Sequence, residues 1–319
     1  MHSQTEDQMI HLPLVGKETE HVCLPLVVNV ISKYWGEEIN PDEADIRAKK
    51  YEGVRGTMMI EGIELAENHG LISYIYKGSL KDLKKRIDQG IPSIVIMPGI
   101  QETIQHASIV CGYSKDERRI FTYVPEPDTI GAIPETLFES DWEQEDMTTI
   151  VIVPKDIGEI LEKENLKFRN SNRVCFEVEK LKYQLSINDV IQKLKLALSK
   201  ENDNPQAWYI LGSLYNESNL SECISCYEQT ISLNAKYYLA HRGLGNYFLK
   251  NKDFLKAEDH YTKAIDISSK RYAPIYKNRA VARTEIGKNK EAKQDLTEYL
   301  TQLPNAHDRA SVEEAIRQI

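Results

Sequence analysis

The chain divides by the period of its apolar positions. In the last third they recur three or four residues apart throughout, the spacing of one helix face. Trp208, Leu211, Gly212 and Tyr215 precede a helical run around Ile224 and Tyr227. Leu244, Gly245 and Phe248 precede Ala257, Tyr261 and Ala264. Arg279, Ala280 and Arg283 precede Ala292, Leu296, Tyr299 and Pro304. Corresponding positions return roughly every 33 to 35 residues, which marks a stack of helix pairs. The residue types fit that geometry. Gly212, Gly245 and Ala280 let antiparallel helices approach closely, Ala257 and Ala292 do the same on the second helix, and large residues fill the groove beside them. Helices over Ser186–Lys200 and Ser311–Ile319 are expected to cap the stack.

Upstream the pattern is mixed. Cys23–Tyr34, Gly62–His69 and Leu80–Gln89 carry apolar residues at helical spacing. Ile91–Met97, His106–Tyr113, Ile120–Val124 and Thr148–Val153 are β-rich runs bounded by turn residues. Helices first and an antiparallel sheet after predict an α+β domain. The expected organisation is that domain over residues 1–155, a charged and weakly patterned connector over 156–185 with a strand at Val174–Val178, and an all-α repeat domain with capping helices over 186–319. Residues 204–304, on the positions quoted above, resemble the tetratricopeptide repeat family.

Composition removes several function classes. Hydrophobic content of 41% supports real cores, and 28% charged residues are ordinary for a soluble protein. The net charge of −9 argues against nucleic-acid binding, which needs a basic footprint to release counterions. No apolar run approaches the roughly 20 residues that span a bilayer, and the opening residues Met1–Gln8 are polar and acidic, unlike a signal peptide. Five cysteines, an odd number, fit reduced thiols in a cytoplasmic setting. Cys223 and Cys226 have half-site spacing but no second pair nearby, and read as small apolar residues of a repeat helix. Cys111 lies inside an apolar strand and reads as core. The histidines show no ligand spacing, and no Gly-rich phosphate loop occurs, so no metal or nucleotide cofactor is expected.

One constellation carries chemistry. Cys23 sits where the first strong helix begins, and a thiol there feels the positive end of the macrodipole, which favours thiolate. Pro25 fits the first helical turn, where a missing N–H costs nothing. His106 opens a strand far downstream, and after a hairpin the return strand runs into Pro125-Glu126-Pro127. A nucleophile needs a base, and the base needs a group to fix its tautomer. Cys23, His106 and Glu126 supply these roles, with Asp128 an alternative to Glu126. Each also has a structural reading: a buried thiol, a strand-end histidine, a turn carboxylate.

Over residues 11–153 these elements resemble the bacteriocin-processing (C39-like) peptidase group of the papain-like cysteine protease superfamily. That group shows Gln, five residues, then Cys-Gly-Pro at a helix start; a Gly-x-Pro strand; His before an apolar strand ending Gly-Tyr; and a strand ending Asp-Pro. Here stand Lys17, Cys23-Leu24-Pro25, Gly90-Ile91-Pro92, His106 to Gly112-Tyr113, and Glu126-Pro127. The resemblance implies a papain-like fold with Cys23, His106 and Glu126 as catalytic residues. It also puts Lys17 in the slot of the Gln that donates to the oxyanion, where an ammonium donates as a flexible point charge. Leu24 and Glu126 replace the usual Gly and Asp.

Three functions follow as expectations. The first is a cysteine acyl-transfer enzyme that forms an amide through a thioester, from a carrier-bound acyl group and an amine, in a biosynthetic pathway. The second is a cytoplasmic cysteine peptidase with a peptide substrate. The third is a non-catalytic adaptor that binds through its repeats. Residues 1–150 hold 26 acidic and 14 basic side chains, a field of about −12 that attracts a small cationic amine. Residues 241–290 hold 12 basic and five acidic side chains, about +7, which suits an acidic acyl-carrier partner. Arg242, Lys250, Lys252, Arg279 and Arg283 are the expected contacts.

Overall fold

The computed structural model describes residues 7–13, 23–39, 43, 58–99, 104–124, 129–268 and 270–319. Its contacts group into two compact units, residues 1–97 with 106–201, and residues 98–105 with 202–319.

The first unit is built on a sheet. In chain order it runs β1 (Gln8–Met9), α1 (Cys23–Tyr34), α2 (Met59–Asn68), β2 (Ile72–Lys77), α3 (Leu80–Asp88), β3 (Ser93–Pro98), β4 (Gln105–Ser114), β5 (Arg119–Val124), β6 (Thr129–Pro134), α4 (Glu135–Trp142) and β7 (Thr148–Val153). Helices α5 (Lys155–Leu161), α6 (Arg169–Leu181) and α7 (Ile187–Lys200) complete it. The strands lie in the order β2-β7-β3-β4-β5-β6, with β1 added along β4. The pairs β1–β4, β2–β7, β3–β7, β4–β5 and β5–β6 are antiparallel.

Strand alternation sorts the core into two layers. Ile94, Ile96, Ala107, Ile109 and Cys111 face Val27, Val28, Val30 and Ile31 of α1 and Ile63 of α2. Val95, Met97, Val110 and Tyr113 face Leu83 and Ile87 of α3 and Phe138 and Trp142 of α4. The valines and isoleucine of α1 are weak helix formers, since branching at Cβ restricts their rotamers. Burial overrides that preference: each fully buried aliphatic side chain contributes about 1.5–3 kcal/mol.

Three strands escape the apolar pattern, one of them the two-residue β1. Among the described residues β6 pairs only with β5, contains Gly131, ends at Pro134 and leaves Ile130 exposed, so it is an edge held by backbone bonds rather than burial. β2 is half-buried along most of its length and draws its stability from the β7 ladder. The connector is a correction. Residues 156–185 carry helices α5 and α6, and Val174–Val178 lies inside α6 rather than in a strand. Ser171, Cys175 and Val178 are buried at helical spacing. α6 is tied down by Arg173 to Glu67 (2.7 Å) and Lys180 to Glu64 (2.5 Å). The helix expected to open the array, α7, groups with the first unit, where the Ser171 N–H donates to Glu201 at 2.8 Å.

The second unit stacks helix pairs: α8 (Pro205–Glu217) with α9 (Glu222–Leu233), α10 (Tyr238–Lys250) with α11 (Phe254–Ile267), and α12 (Pro274–Glu285) with α13 (Asn289–Gln302), closed by α14 (Arg309–Gln318). Asn204 caps α8 by accepting from the N–H groups of Gln206 and Ala207, with Pro205 at the first helical position. The small residues do what their pattern requires. A Cβ on Gly245 would lie 2.6 Å from the Tyr261 ring. Among the described residues, no helix is long and apolar enough to cross a membrane. The chain is thus an α+β domain followed by an all-α repeat array.

Candidate functional sites

The expected catalytic residues fall at segment ends. The described part of α1 runs from Cys23, whose side chain lies outside the described residues, as do Lys17, Glu126 and Asp128. His106 is the second residue of β4 and half-buried. β5 ends at Val124, two residues before Glu126. The pleat sets a condition on this site. Ala107, Ile109 and Cys111 share the α1 side of β4, whereas Val110 lies on the other. By that alternation His106 belongs with Val110. Its imidazole therefore meets a thiol at the start of α1 only where both project past the end of the strand.

The other motif positions serve structure. Gly90 ends α3 with φ +72°, a conformation that a Cβ disfavours, and its carbonyl accepts from Tyr34 Oη at 2.8 Å, which ties the end of α1 to the entry of β3. Gly112 lies where β1 crosses β4: a Cβ there would stand 2.6 Å from the Gln8 carbonyl oxygen. Tyr113 Oη donates to Asp88 at 2.8 Å, and burial pushes the phenol up to about 12. These contacts hold α1, α3 and β4 in register, so these motif positions specify the scaffold under the candidate site.

The remaining cysteines do not compete with Cys23. Cys111, Cys175, Cys223 and Cys226 are all buried. Burial pushes the Cys111 and Cys223 thiols up to about 11 and Cys175 higher still, so they stay protonated near neutral pH.

A second candidate site is a groove of about 410 Å³ in the array, lined by Tyr209, Asn216, Arg242, Asn246, Lys250 and Asn278. Glu217 also lines it. Asn216 Nδ2 donates to the Gly243 carbonyl at 3.1 Å, and among the described residues its buried Oδ1 meets no donor. Asn246 Oδ1 accepts from Tyr261 Oη at 2.8 Å and from Asn278 Nδ2 at 3.3 Å. Arg242 lies over the Tyr272 ring at 5.1 Å, and Lys250 donates to the Asn216 carbonyl at 3.2 Å. Two of the five cations expected at a docking face are thus in the groove. Arg279 and Arg283 are not available: both bind Asp295, which is buried, and Arg283 also binds Glu258. Sequence reasoning missed the three asparagines, although they fall 30 and 32 residues apart, close to the repeat period.

The fold and these positions define a cysteine-protease-like α+β domain joined to a tetratricopeptide-like array. Residues 4–148 match the model of the Peptidase_C39 like family, so the N-terminal domain is a C39-like domain. Similar solved structures include the peptidase domain of Streptococcus ComA, described as a bi-functional ABC transporter in a quorum sensing pathway. It is 21% identical and covers 46% of this chain and 100% of its own, with a TM-score of 0.38. MamA is 20% identical over 56% of this chain and 88% of its own, with a TM-score of 0.38. The first tetratricopeptide domain of Spaghetti (RPAP3), solved with an HSP90 peptide, is 23% identical over 36% of this chain and 93% of its own, with a TM-score of 0.34. No curated protein matches the chain.

Proposed function

We propose that the N-terminal domain is a cysteine-dependent acyl-transfer enzyme and that the array docks the partner that brings its substrate. The observation that carries this is the C39-like domain over residues 4–148, in which the described part of α1 runs from Cys23 and β4 brings in His106 at its second residue. The Cys23 thiolate attacks a carbonyl carbon. A C–S bond forms, the bond to the leaving group breaks, and His106 passes the thiol proton to that group. Glu126, or Asp128 beside it, orients the imidazole, and Lys17 stabilises the oxyanion. An amine then attacks the thioester; the amide bond forms, the C–S bond breaks, and His106 takes the amine proton and returns it to sulfur. The acidic first 150 residues favour a small cationic amine, and the groove cations Arg242 and Lys250 favour an acidic acyl carrier.

The second reading is a peptidase, with water in place of the amine. The description of the matched family favours it. Intact-mass spectrometry after exposure to acyl thioesters, with and without amines, separates the two. Acyl-transfer chemistry expects a covalent adduct on the wild type and none on Cys23→Ala, and amide formation further expects the amine to discharge that adduct into a new product. Peptide hydrolysis without any thioester adduct overturns amide formation. Neither reaction leaves the array's docking role alone, that of an adaptor.

A further inference from the structure

In the middle helix pair of the array two histidines face each other. His241 of α10 and His260 of α11 place their Nδ1 atoms 3.2 Å apart, with ring centroids at 5.5 Å. His241 is 8% exposed. Phe248 stacks on His260 with its plane within 8°, and Lys256 Nζ lies 5.0 Å from the Phe248 centroid. An Nδ1–Nδ1 contact at this distance is a hydrogen bond only when one ring carries the hydrogen and the other a lone pair. Doubly protonated, the pair would point two N–H donors at each other and bring two positive charges together in a desolvated seam.

The surroundings do not offset that repulsion. The charges bearing on the pair lie on α11: Lys256, Asp259 and Lys263. Asp259 is spent on Lys263 at 2.7 Å, and Lys256 pairs with Asp253 at 2.8 Å. Arg279 and Arg283 of α12 reach α11 at Thr262 and Glu258 and are neutralised by Asp295 and Glu258.

We propose that the His241–His260 pair is an acid-sensitive latch between α10 and α11, whose double protonation parts the two helices and dismantles the groove. The coupling runs through α10, which carries Arg242 and Asn246 on its groove side, and through the Tyr261–Asn246 bond, which crosses the same seam. Burial, foremost, lowers both imidazoles below the ordinary value of 6.5, His241 to about 4. The folded array therefore prefers neutral rings. The latch's contribution to stability is complete above about pH 6.5 and is lost as pH falls from there toward 4. The partner held in the groove is released by acid, whatever chemistry Cys23 performs.

Amide hydrogen exchange on the full chain at about pH 7.5 and pH 5, corrected for intrinsic rates, tests the latch. On acidification α10 and α11 should lose protection by about tenfold or more while α8, α9 and α13 keep theirs. His260→Gln, which retains a neutral hydrogen-bonding group but cannot charge, should leave only the part of the pH dependence that burial of His241 imposes, clearly less than in the wild type. Unchanged protection of α10 and α11 in the wild type, or equal loss in His260→Gln, overturns the latch. Should the variant open the pair already at neutral pH, imidazole titration by NMR on the wild type decides. Both rings must titrate well below their ordinary value together with helix opening, and a ring that charges near 6.5 with the helices closed defeats the proposal.

Discussion

The two units use polar side chains in opposite ways. In the first they close long loops: Trp35 donates to the Ile152 carbonyl at 2.8 Å, Arg86 binds Glu164 at 2.7 Å and Arg173 binds Glu67 at 2.7 Å. These partners stand 117, 78 and 106 residues apart in the chain. Between the helices of the array polar contacts such as Asn216 to Gly243, Asn246 to Asn278 and Arg279 to Asp295 are about one repeat apart or less, with Tyr238 to the Ile104 carbonyl, 134 residues apart, a long-range exception. The difference separates two kinds of function. A site in the first unit has to be assembled from distant segments by the whole fold. The array's groove is assembled by repetition, and its lining changes one residue at a time without changing the scaffold.

The largest expected effect tests the assembled site. Cys23→Ala should abolish adduct formation and turnover while leaving the array's unfolding unchanged. His106→Ala should cost on the order of a hundredfold or more in rate, the usual worth of a general base, and Glu126→Gln less. Rate measurements beside thermal unfolding check this. A Cys23→Ala protein as active as wild type would end the thiol mechanism. Labelling with iodoacetamide near neutral pH should report Cys23 alone, because the buried thiols stay protonated.

Next comes the lock within the array. Arg279→Glu places a carboxylate beside buried Asp295, in a network that Arg283 alone cannot neutralise. Breaking a buried pair in this way costs about 3–5 kcal/mol. Chemical denaturation should show the array's transition moving to much lower denaturant. A midpoint unmoved by the substitution would mean that Asp295 is not held as the structure has it.

These residues also show how far the sequence could be read. Gly212, Gly245, Ala280 and the tyrosines around them announced the array, because each repeat buries the same positions against its neighbour and periodicity survives in one dimension. α1 was legible for a similar reason: one apolar face, one covering sheet. β6 was not, since an edge strand with Gly131 and Pro134 is held by hydrogen bonds that leave no apolar signature. α6 was misread because its buried positions are Ser171, Asn172, Cys175 and Val178, half of them polar. At the candidate site the motif named Cys23 and His106, but only the split of β4 between two core layers reveals the condition on the imidazole. At the groove, net charge named Arg242, Lys250, Arg279 and Arg283 together. Their separation into lining and lock depends on Asp295, which is acidic and therefore invisible to a search for basic patches.

A smaller effect probes the close approach of helices. Gly245→Ala would drive a methyl group to 2.6 Å from the Tyr261 ring, whose hydroxyl supports Asn246. Overpacking of this kind costs about 1–3 kcal/mol. The cost should appear in thermal unfolding, together with weaker partner binding through the displaced asparagine. A stability gain would mean that the ring moves aside freely.

The smallest effect is the most discriminating, because it sets one arginine of the array against another. Arg242→Glu changes a residue that lies over the Tyr272 ring and lines the groove. No carboxylate among the described residues is left unpaired by it, so thermal stability should change little, in contrast to Arg279→Glu. Binding of an acidic carrier should weaken by roughly tenfold, about 1.4 kcal/mol, and Lys250→Glu should add to it. The loss should shrink as salt rises, since partly exposed charges are screened. Titration calorimetry with an acyl-carrier protein at two ionic strengths measures both. Affinity indifferent to Arg242 and to salt would show that the groove cations do not dock an acidic carrier. Loss of affinity matched by loss of stability would instead make Arg242 a second lock, and the groove a seam of the scaffold rather than a surface for recognition.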